Sequence, residues 1–312
     1  MENVVSGAPD ELLPGGLELP FGEIEKTFAR LAAERQADRA APVALTATVV
    51  VVGPRERLVP AAEALKVIGE GGAVRGILIS IGDDPAPPAR VTPYAVALEH
   101  LRLEFVDNAV AAFRFSSLPT VVWWRGGAID ALERVAQLAE RTILDADPAE
   151  PVWASVLPLL ERTAVTDLRW TRLTRWRALM ANFFDIPQVR ESRSRFTTLR
   201  LAGSDAALAK LFAGWLESAL EWNGRVATQI DVRPDAGPLE FVQLGGGGRV
   251  LTLAAVSRRA CVEARLEEES HMRVSRVVPL GDDRLPALLT EELRVRSRDL
   301  AFECALRAGS AR

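Results

Sequence analysis

The residues with the clearest chemical potential lie in one stretch, DLRWTRLTRWRALMANFFDIP, at positions 167–187. Arg169, Arg172 and Arg175 recur at every third position and alternate with tryptophan and leucine. Guanidinium groups bind phosphate and carboxylate through paired N–H donors, and Arg and Trp are enriched at protein–protein hot spots. The stretch is therefore compatible with a phosphate or nucleic-acid surface, a docking helix for a protein, or a packed helix with a solvated edge.

The spacing predicts one continuous helix across this stretch. Asp167 is placed to cap its N-terminus, and Pro187 ends it soon after Phe184. At 100° per residue, one side of the helix forms an apolar stripe. The stripe consists of Leu173, Trp176, Met180, Phe183 and Phe184.

The arginines flank this stripe. Arg172 and Arg175 border one edge and Arg177 borders the other, while Arg169 lies in the first turn, where it can point outward. Long basic side chains can cover apolar surface with their stems while the charged heads stay in water. Packing alone therefore favours a core helix over a docking surface.

No catalytic constellation is visible elsewhere. LGGGGRV at 244–250 lacks the GK[ST] of a phosphate loop and lies between two strand candidates, so it predicts a hairpin turn. IGEGGAVRG at 68–76 leads into a strand and has no third glycine in register for dinucleotide binding. His100 and His271, the only histidines, have no partner at metal-ligand spacing. We predict no catalytic residue, no metal site and no cofactor.

Composition narrows the classes of partner. A formal net charge of −4 argues against nucleic acid, which usually needs a basic surplus. The longest apolar stretch, at 43–52, is about half of the ~20 residues that a membrane helix needs, and residues 1–20 do not resemble a signal peptide. Cys261 and Cys304 are far apart, as in reducing compartments. We expect a cytoplasmic protein that binds neither membrane nor nucleic acid.

The elements that position these residues fall into two halves. We predict a flexible tail at 1–20, an α/β domain at 21–165 with a mostly parallel layered sheet, and an α+β domain at 166–312 with an antiparallel sheet. Helices are predicted at 21–39, 57–69, 107–116, 128–141, 204–222 (capped by Ser204) and 283–307. Strands are predicted at 44–53, 73–82, 91–98, 101–106, 118–124, 142–146, 195–202, 225–232, 239–244, 249–256, 260–267 and 272–279, with 147–166 as a linking region.

Several segments together resemble the OpcA family of glucose-6-phosphate dehydrogenase assembly proteins, also described as allosteric effectors of that enzyme. They are LPTVVWWRG (118–126), RTILDA (141–146), the 167–187 stretch, LAKLFAGWLES (208–218) and 276–306. The long 167–177 pattern is the most specific of these. The chain departs from the family where it carries Gly-Ala-Val-Arg-Gly at 72–76, in place of a His-Pro element.

The resemblance implies a non-catalytic partner that binds glucose-6-phosphate dehydrogenase and promotes its active form in the oxidative pentose phosphate pathway, a source of NADPH. The candidate partner-binding residues are Trp124, Arg125, Arg169, Trp170, Arg172, Arg175 and Arg177. One of Trp123 and Trp124 is expected in the core and the other nearer the carboxyl edge of the sheet. The alternative is a sensor that binds a nucleotide or sugar phosphate through Arg75, Arg125 and the Arg172 edge.

Overall fold

The computed structural model describes residues 12–37, 45–71, 74–256, 260–269 and 271–311. Its strands are β1 (Leu17–Leu19), β2 (Ala47–Val52), β3 (Val74–Ile81), β4 (Ala89–Val91), β5 (Ala95–Leu101), β6 (Thr120–Trp124), β7 (Arg141–Leu144), β8 (Ala164–Asp167), β9 (Phe196–Gly203), β10 (Ala227–Val232), β11 (Phe241–Gly246), β12 (Arg249–Val256), β13 (Cys261–Glu268) and β14 (His271–Pro279). Its α-helices are α1 (Phe21–Ala37), α2 (Arg55–Glu70), α3 (Val106–Phe113), α4 (Ile129–Ala136), α5 (Glu150–Val156), α6 (Leu168–Arg172), α7 (Thr174–Phe183), α8 (Pro187–Glu191), α9 (Ala206–Ala219), α10 (Leu285–Arg294) and α11 (Leu300–Ser310).

The chain divides into two compact units. The first comprises the described residues of Met1–Pro148, Pro158–Thr166 and Arg284–Arg298. The second comprises those of Ala149–Leu157, Asp167–Asp283 and Asp299–Arg312. The contribution of α10 to the first unit was not anticipated from the sequence, and the domain limits given above stay a prediction.

An eight-stranded sheet forms the first unit, in the order β1-β4-β5-β3-β2-β6-β7-β8. The pairs β5–β3, β3–β2, β2–β6 and β6–β7 are parallel, and only β1–β4 and β4–β5 among the registered pairs are antiparallel. Every residue of β2, β6 and β7 is buried, as expected for parallel strands covered on both faces. The predicted mostly parallel layered sheet is confirmed.

The order of strands reverses between β2 and β6. From β2 the chain runs outward to β3 and β5, and then it returns to β6 and β7 on the other side of β2. In open α/β sheets the carboxyl ends of the two strands at such a reversal form a crevice that commonly binds ligands. Gly53 and Arg125, which directly follow β2 and β6, lie at this point.

Three local predictions in this part were wrong. Residues 103–105 form a 3₁₀ turn, not a strand. The predicted linking region at 147–166 contains α5, a 3₁₀ segment and β8, because its prolines Pro151 and Pro158 stand in first turns, where the missing N–H costs nothing. Residues 1–11 of the predicted tail lie outside the described residues, but β1 pairs with β4 and the preceding Leu13 is buried.

A six-stranded sheet forms the second unit, in the order β10-β9-β11-β12-β13-β14. All neighbours are antiparallel except β10 and β9, which α9 connects. The predicted sheet is therefore confirmed as mostly antiparallel. On one face, Leu199, Leu244 and Leu251 are aligned in register and fully buried, and α7 packs against β12 and β13.

Two predicted helices of the second half are each divided in the structure. The helix at 167–184 is α6 followed by α7, with Leu173 between them. The terminal helix is α10 followed by α11, because Val295 is extended and Asp299 caps a new N-terminus. Asp205, not Ser204, caps α9 through a bond from Leu208 N. An aspartate adjacent to the predicted cap thus took its role.

Two helices of the second unit approach closely where α9 meets α11. A Cβ built on Gly214 would lie 2.3 Å from the carbonyl oxygen of Ala305 and 2.5 Å from the backbone nitrogen of Gly309. Both obstacles are backbone atoms, so neither helix can yield by changing a rotamer. Glycine is required at this position for the two helices to pack.

We expect Gly214→Ala to lower the free energy of unfolding by roughly 3 kcal/mol, since overpacking a rigid contact forces backbone shifts. Gly22→Ala in α1 is the matched control, because a Cβ there meets nothing within 4 Å. Urea denaturation followed by circular dichroism measures both. Equal stability of the two variants would contradict the proposed close approach.

Candidate functional site

Asp167 begins the stretch that the sequence singles out, and it caps α6 as predicted. Its Oδ1 accepts a hydrogen bond from Arg169 N at 2.8 Å. Its Oδ2 accepts from the indole nitrogen of Trp153 at 2.9 Å. The carboxylate is 1% exposed, so both of its oxygens need these donors.

Arg169 is buried, and the expectation that it points outward was wrong. Its Nε donates to Asp205 Oδ2 at 2.9 Å, and its side chain is 10% exposed. The other oxygen of Asp205 accepts from Leu208 N at 2.9 Å and caps α9. Arg169 is drawn inward because it pairs with a carboxylate that itself caps a helix.

Trp170 makes the same kind of contact with a third helix. Its indole nitrogen donates to Asp299 Oδ2 at 2.7 Å, while Asp299 Oδ1 accepts from Phe302 N at 3.0 Å and caps α11. Its ring meets the ring of Phe302 edge-on, with centroids 5.8 Å apart. The Arg177 guanidinium lies 3.5 Å from the centroid of the Trp170 ring, which makes a cation–π contact.

These contacts form a capping hub. In it, three aspartates each cap a helix with one oxygen and bind a side-chain N–H with the other. The hub consists of Asp167, Asp205 and Asp299 with their donors Trp153, Arg169 and Trp170. Arg169, Trp170 and Arg177 are therefore engaged inside the second unit, and the first half of the motif is structural.

The remaining two arginines of the motif are on the surface. Arg175 is exposed and Arg172 is partly exposed. Neither makes an ion pair with any residue in the described part of the chain. We call these two residues the arginine edge. The stripe that they border is buried as predicted at Leu173, Trp176, Met180 and Phe183, while Phe184 is partly exposed.

Trp124 and Arg125 lie at the reversal of strand order in the first sheet. Trp123 and Trp124 are both fully buried, so the expectation that one of them approaches solvent was wrong. Arg125 Nη2 lies 2.9 Å from Asp145 Oδ2, and its guanidinium stacks 4.8 Å from the ring centroid of Trp123. Neither Trp124 nor Arg125 presents a partner-binding surface in this arrangement.

The crevice at this reversal is filled by the chain itself. A Cβ built on Gly53 would lie 3.0 Å from Cβ of Arg125, so the two loops are in close contact. Arg125 Nη1 donates to the carbonyl oxygen of Arg57 at 2.7 Å, and Arg57 Nη2 donates to that of Asp145 at 2.6 Å. Three side chains thus lock the place where a nucleotide phosphate would enter.

Arg75 is held differently, by aromatic rings instead of a carboxylate. It is 5% exposed, and its guanidinium lies 3.9 Å from the ring centroid of Phe28 and 4.2 Å from that of Phe115. Burial lowers the pKa of Arg75 to about 10, which the nearby Glu25 charge only partly offsets. Both first-unit arginines named for a phosphate sensor, Arg75 and Arg125, are therefore enclosed in internal contacts.

Sequence reasoning missed the acidic partners of these arginines. Asp145 was seen only as part of a strand, and Asp205 and Asp299 were not considered. Glu292 of α10 was missed as well: its Oε2 accepts from Arg141 Nη2 at 2.6 Å, and both side chains are buried. The one local signal available was the preference for Asp directly before a helix.

Within the described residues, no group of three or more His, Cys, Asp or Glu side chains is arranged to hold a metal ion. No helix in the same part of the chain combines the length and apolar character that crossing a membrane requires.

Comparison with known proteins assigns the second half of the chain. Residues 163–306 match the family model for the C-terminal domain of a glucose-6-phosphate dehydrogenase subunit. Curated relatives carry the name "Putative OxPP cycle protein OpcA". The chain belongs to the OpcA family. The matched region contains Asp167, Arg169, Trp170, Asp205 and Asp299, the part of the capping hub that follows residue 163.

The curated OpcA relatives are distant and longer. The one from Nostoc punctiforme is 29% identical over 129 residues, which cover 38% of this chain and 28% of the relative. The one from Synechococcus elongatus is 24% identical over 213 residues, which cover 65% of this chain and 42% of the relative. The chain thus spans less than half the length of these OpcA proteins.

Among solved structures, similar shapes include an aldose-aldose oxidoreductase from Caulobacter crescentus and Gal80p from Saccharomyces cerevisiae. The first has a TM-score of 0.49 and 9% identity, and covers 85% of this chain and 95% of that chain. The second has a TM-score of 0.44 and 9% identity, and covers 80% and 83%. At this level of identity the likeness carries no information on the activity of this OpcA-family chain.

The two buried arginines of the first unit should respond oppositely to replacement by methionine. Arg125→Met leaves the Asp145 carboxylate buried with Arg57 only 3.8 Å away, and should cost about 3–5 kcal/mol of unfolding free energy. Arg75→Met strands no carboxylate. Because burial lowers the Arg75 pKa, its charged form costs stability at neutral pH, and its removal should change stability by no more than about 1 kcal/mol.

Chemical denaturation of both variants at neutral pH measures the difference. The double variant Arg125→Met, Asp145→Leu should recover part of the loss, since it removes the stranded charge. Equal destabilisation by the two single variants would contradict the distinct roles given to the two arginines.

Proposed function

We propose that this OpcA-family protein is a non-catalytic partner of glucose-6-phosphate dehydrogenase. It binds the dehydrogenase and promotes its active form in the oxidative pentose phosphate pathway, in the cytoplasm. The observation that carries the proposal is the match of residues 163–306 to the family model of a dehydrogenase-associated domain. The name of the curated relatives, OxPP cycle protein, agrees with the pathway.

The filled crevice supports a role without catalysis. Ligands of open α/β sheets commonly bind where Gly53 and Arg125 are in contact here. Opening this place to a nucleotide would break the buried Arg125–Asp145 pair and leave a carboxylate without its closest cation. Removing one member of a buried pair costs several kcal/mol. The same cost weighs against the sensor hypothesis, which assigns phosphate binding to Arg125.

The arginine edge is the docking surface that we propose. Arg172 and Arg175 have no ion pair to give up within the described residues, so binding a carboxylate costs them only hydration and side-chain entropy. The buried stripe, including Trp176, anchors the helix beneath them. Rigid presentation lowers the entropic cost of association, as at protein–protein hot spots.

Activation requires that the protein bind the active form of the dehydrogenase more tightly than the inactive form, because a ligand shifts an equilibrium only by its differential affinity. A coupling of ~1–3 kcal/mol would change the apparent affinity for glucose 6-phosphate roughly 5- to 150-fold. The purified protein should reduce no NADP by itself. When it is added to the dehydrogenase of the same organism, the Km for glucose 6-phosphate should fall or turnover should rise.

Reversing the charge of the arginine edge should separate docking from folding. We expect Arg172→Glu, Arg175→Glu to leave stability within about 0.5 kcal/mol, as at most surface sites. Binding to the dehydrogenase should weaken by about 2 kcal/mol, or thirtyfold. Circular dichroism melts and a binding titration measure the two quantities.

Arg276→Glu on β14 is the control for the reversal, because Arg276 is also exposed and makes no ion pair within the described residues. It should bind as the unaltered protein does. A double Glu variant that folds and still binds and activates normally would show that the arginine edge is only a solvated flank. Unchanged kinetics and no comigration of the unaltered protein at micromolar concentration would refute the partnership itself.

A further inference from the structure

The glycine run that resembles a phosphate loop has a different purpose, which is to seat an arginine-bearing turn. Gly246–Gly248 form the turn between β11 and β12, all with positive φ. A Cβ on Gly246 would lie 2.3 Å from the carbonyl oxygen of Arg195, and one on Gly247 would lie 2.8 Å from Cβ of Arg195. Only glycine allows the two turns to pack so closely.

Further contacts fix the seated turn from its other side. Ser192 is 3% exposed, and its hydroxyl donates to the carbonyl oxygen of Gln188 and accepts from Arg249 Nη1. Arg249 also pairs with Glu268 on the neighbouring strand. The backbone nitrogen of Arg195 donates to the carbonyl oxygen of Ser192 at 2.8 Å. The conformation of this turn is therefore set by the sheet beneath it.

Three arginines project from this fixed support, and together we call them the arginine turn. Arg190, Arg193 and Arg195 are all exposed, and none makes an ion pair with a residue in the described ranges. Glu191 is the single acidic residue among positions 187–200. This local positive charge runs against the formal net charge of −4. Exposed like charges repel one another, and a partner of opposite charge would relieve that repulsion.

We propose that the arginine turn is an electrostatic docking surface for an acidic segment of a protein partner. The inference rests on the proposed function, in which that partner is the dehydrogenase. An acidic protein segment is favoured over nucleic acid because three cations are fewer than the roughly 6–10 phosphate contacts that drive such binding, and the chain as a whole repels phosphates. Exposed charges of this kind act mainly on the rate of association.

The test compares two triple charge reversals of matched size. The variant is Arg190→Glu, Arg193→Glu, Arg195→Glu. The control is Arg114→Glu, Arg162→Glu, Arg276→Glu, which alters three arginines that are equally exposed and lack ion pairs within the described residues. Association with the dehydrogenase is followed by surface plasmon resonance in about 50 mM and 500 mM salt, since screening removes long-range steering. A circular dichroism melt shows that each variant is folded.

We expect the arginine-turn variant to associate about tenfold more slowly in low salt, with a difference below about twofold in high salt. The control should associate within about twofold of the unaltered protein in both. If the Glu variant fails to fold, the corresponding Gln variant, which removes charge without reversing it, should slow association by about threefold in low salt.

The outcomes separate the two proposals. No binding by the unaltered protein refutes the proposed function, whatever the variants do. Binding by the unaltered protein together with equal association of variant and control overturns the docking surface alone. A variant that loses affinity for a single-stranded oligonucleotide but not for the dehydrogenase also overturns it, because the surface would then serve nucleic acid.

Discussion

The second unit depends on one repeated interaction, in which an aspartate caps a helix with one oxygen and holds a side-chain N–H with the other. Asp167, Asp205 and Asp299 make it at α6, α9 and α11. Because Arg169 and Trp170 are adjacent in sequence, they connect the starts of α9 and α11, two helices whose aspartates are 94 positions apart by number (299 − 205). The motif is therefore retained by the fold itself, and its outer arginines are left available.

The same economy of buried charge explains what the sequence could and could not foretell. The strands β2 and β6 and the cap at Asp167 were predictable, because apolar runs and capping preferences act over a few residues. The burial of Arg169 was not, because the carboxylate that draws it inward lies 36 residues away. The spacing of a helix shows which side chains share a face, but it does not show which face meets a distant counter-charge.

Arg75 and Arg125 illustrate the same limit within the first unit. Each belongs to a buried strand or directly follows one, and an arginine in such a place invites a ligand-binding interpretation. In the structure one is enclosed by two phenylalanine rings and the other by Asp145. The candidate site was thus recovered only at Arg172 and Arg175, where a surface position needs no partner and the helical pattern alone decides exposure.

The buried pair of Arg141 and Glu292 has a consequence for how the protein is made. Its members are 151 positions apart, and the whole of 167–283 is synthesised between them. While the ribosome is still translating that stretch, the strand bearing Arg141 is complete but its counter-ion does not yet exist. An unpaired buried guanidinium is costly, so the first unit cannot reach its final packing until α10 emerges. The polypeptide that begins to fold first is the last to be finished, and ribosome-bound chains that stop short of residue 292 remain substrates for chaperones.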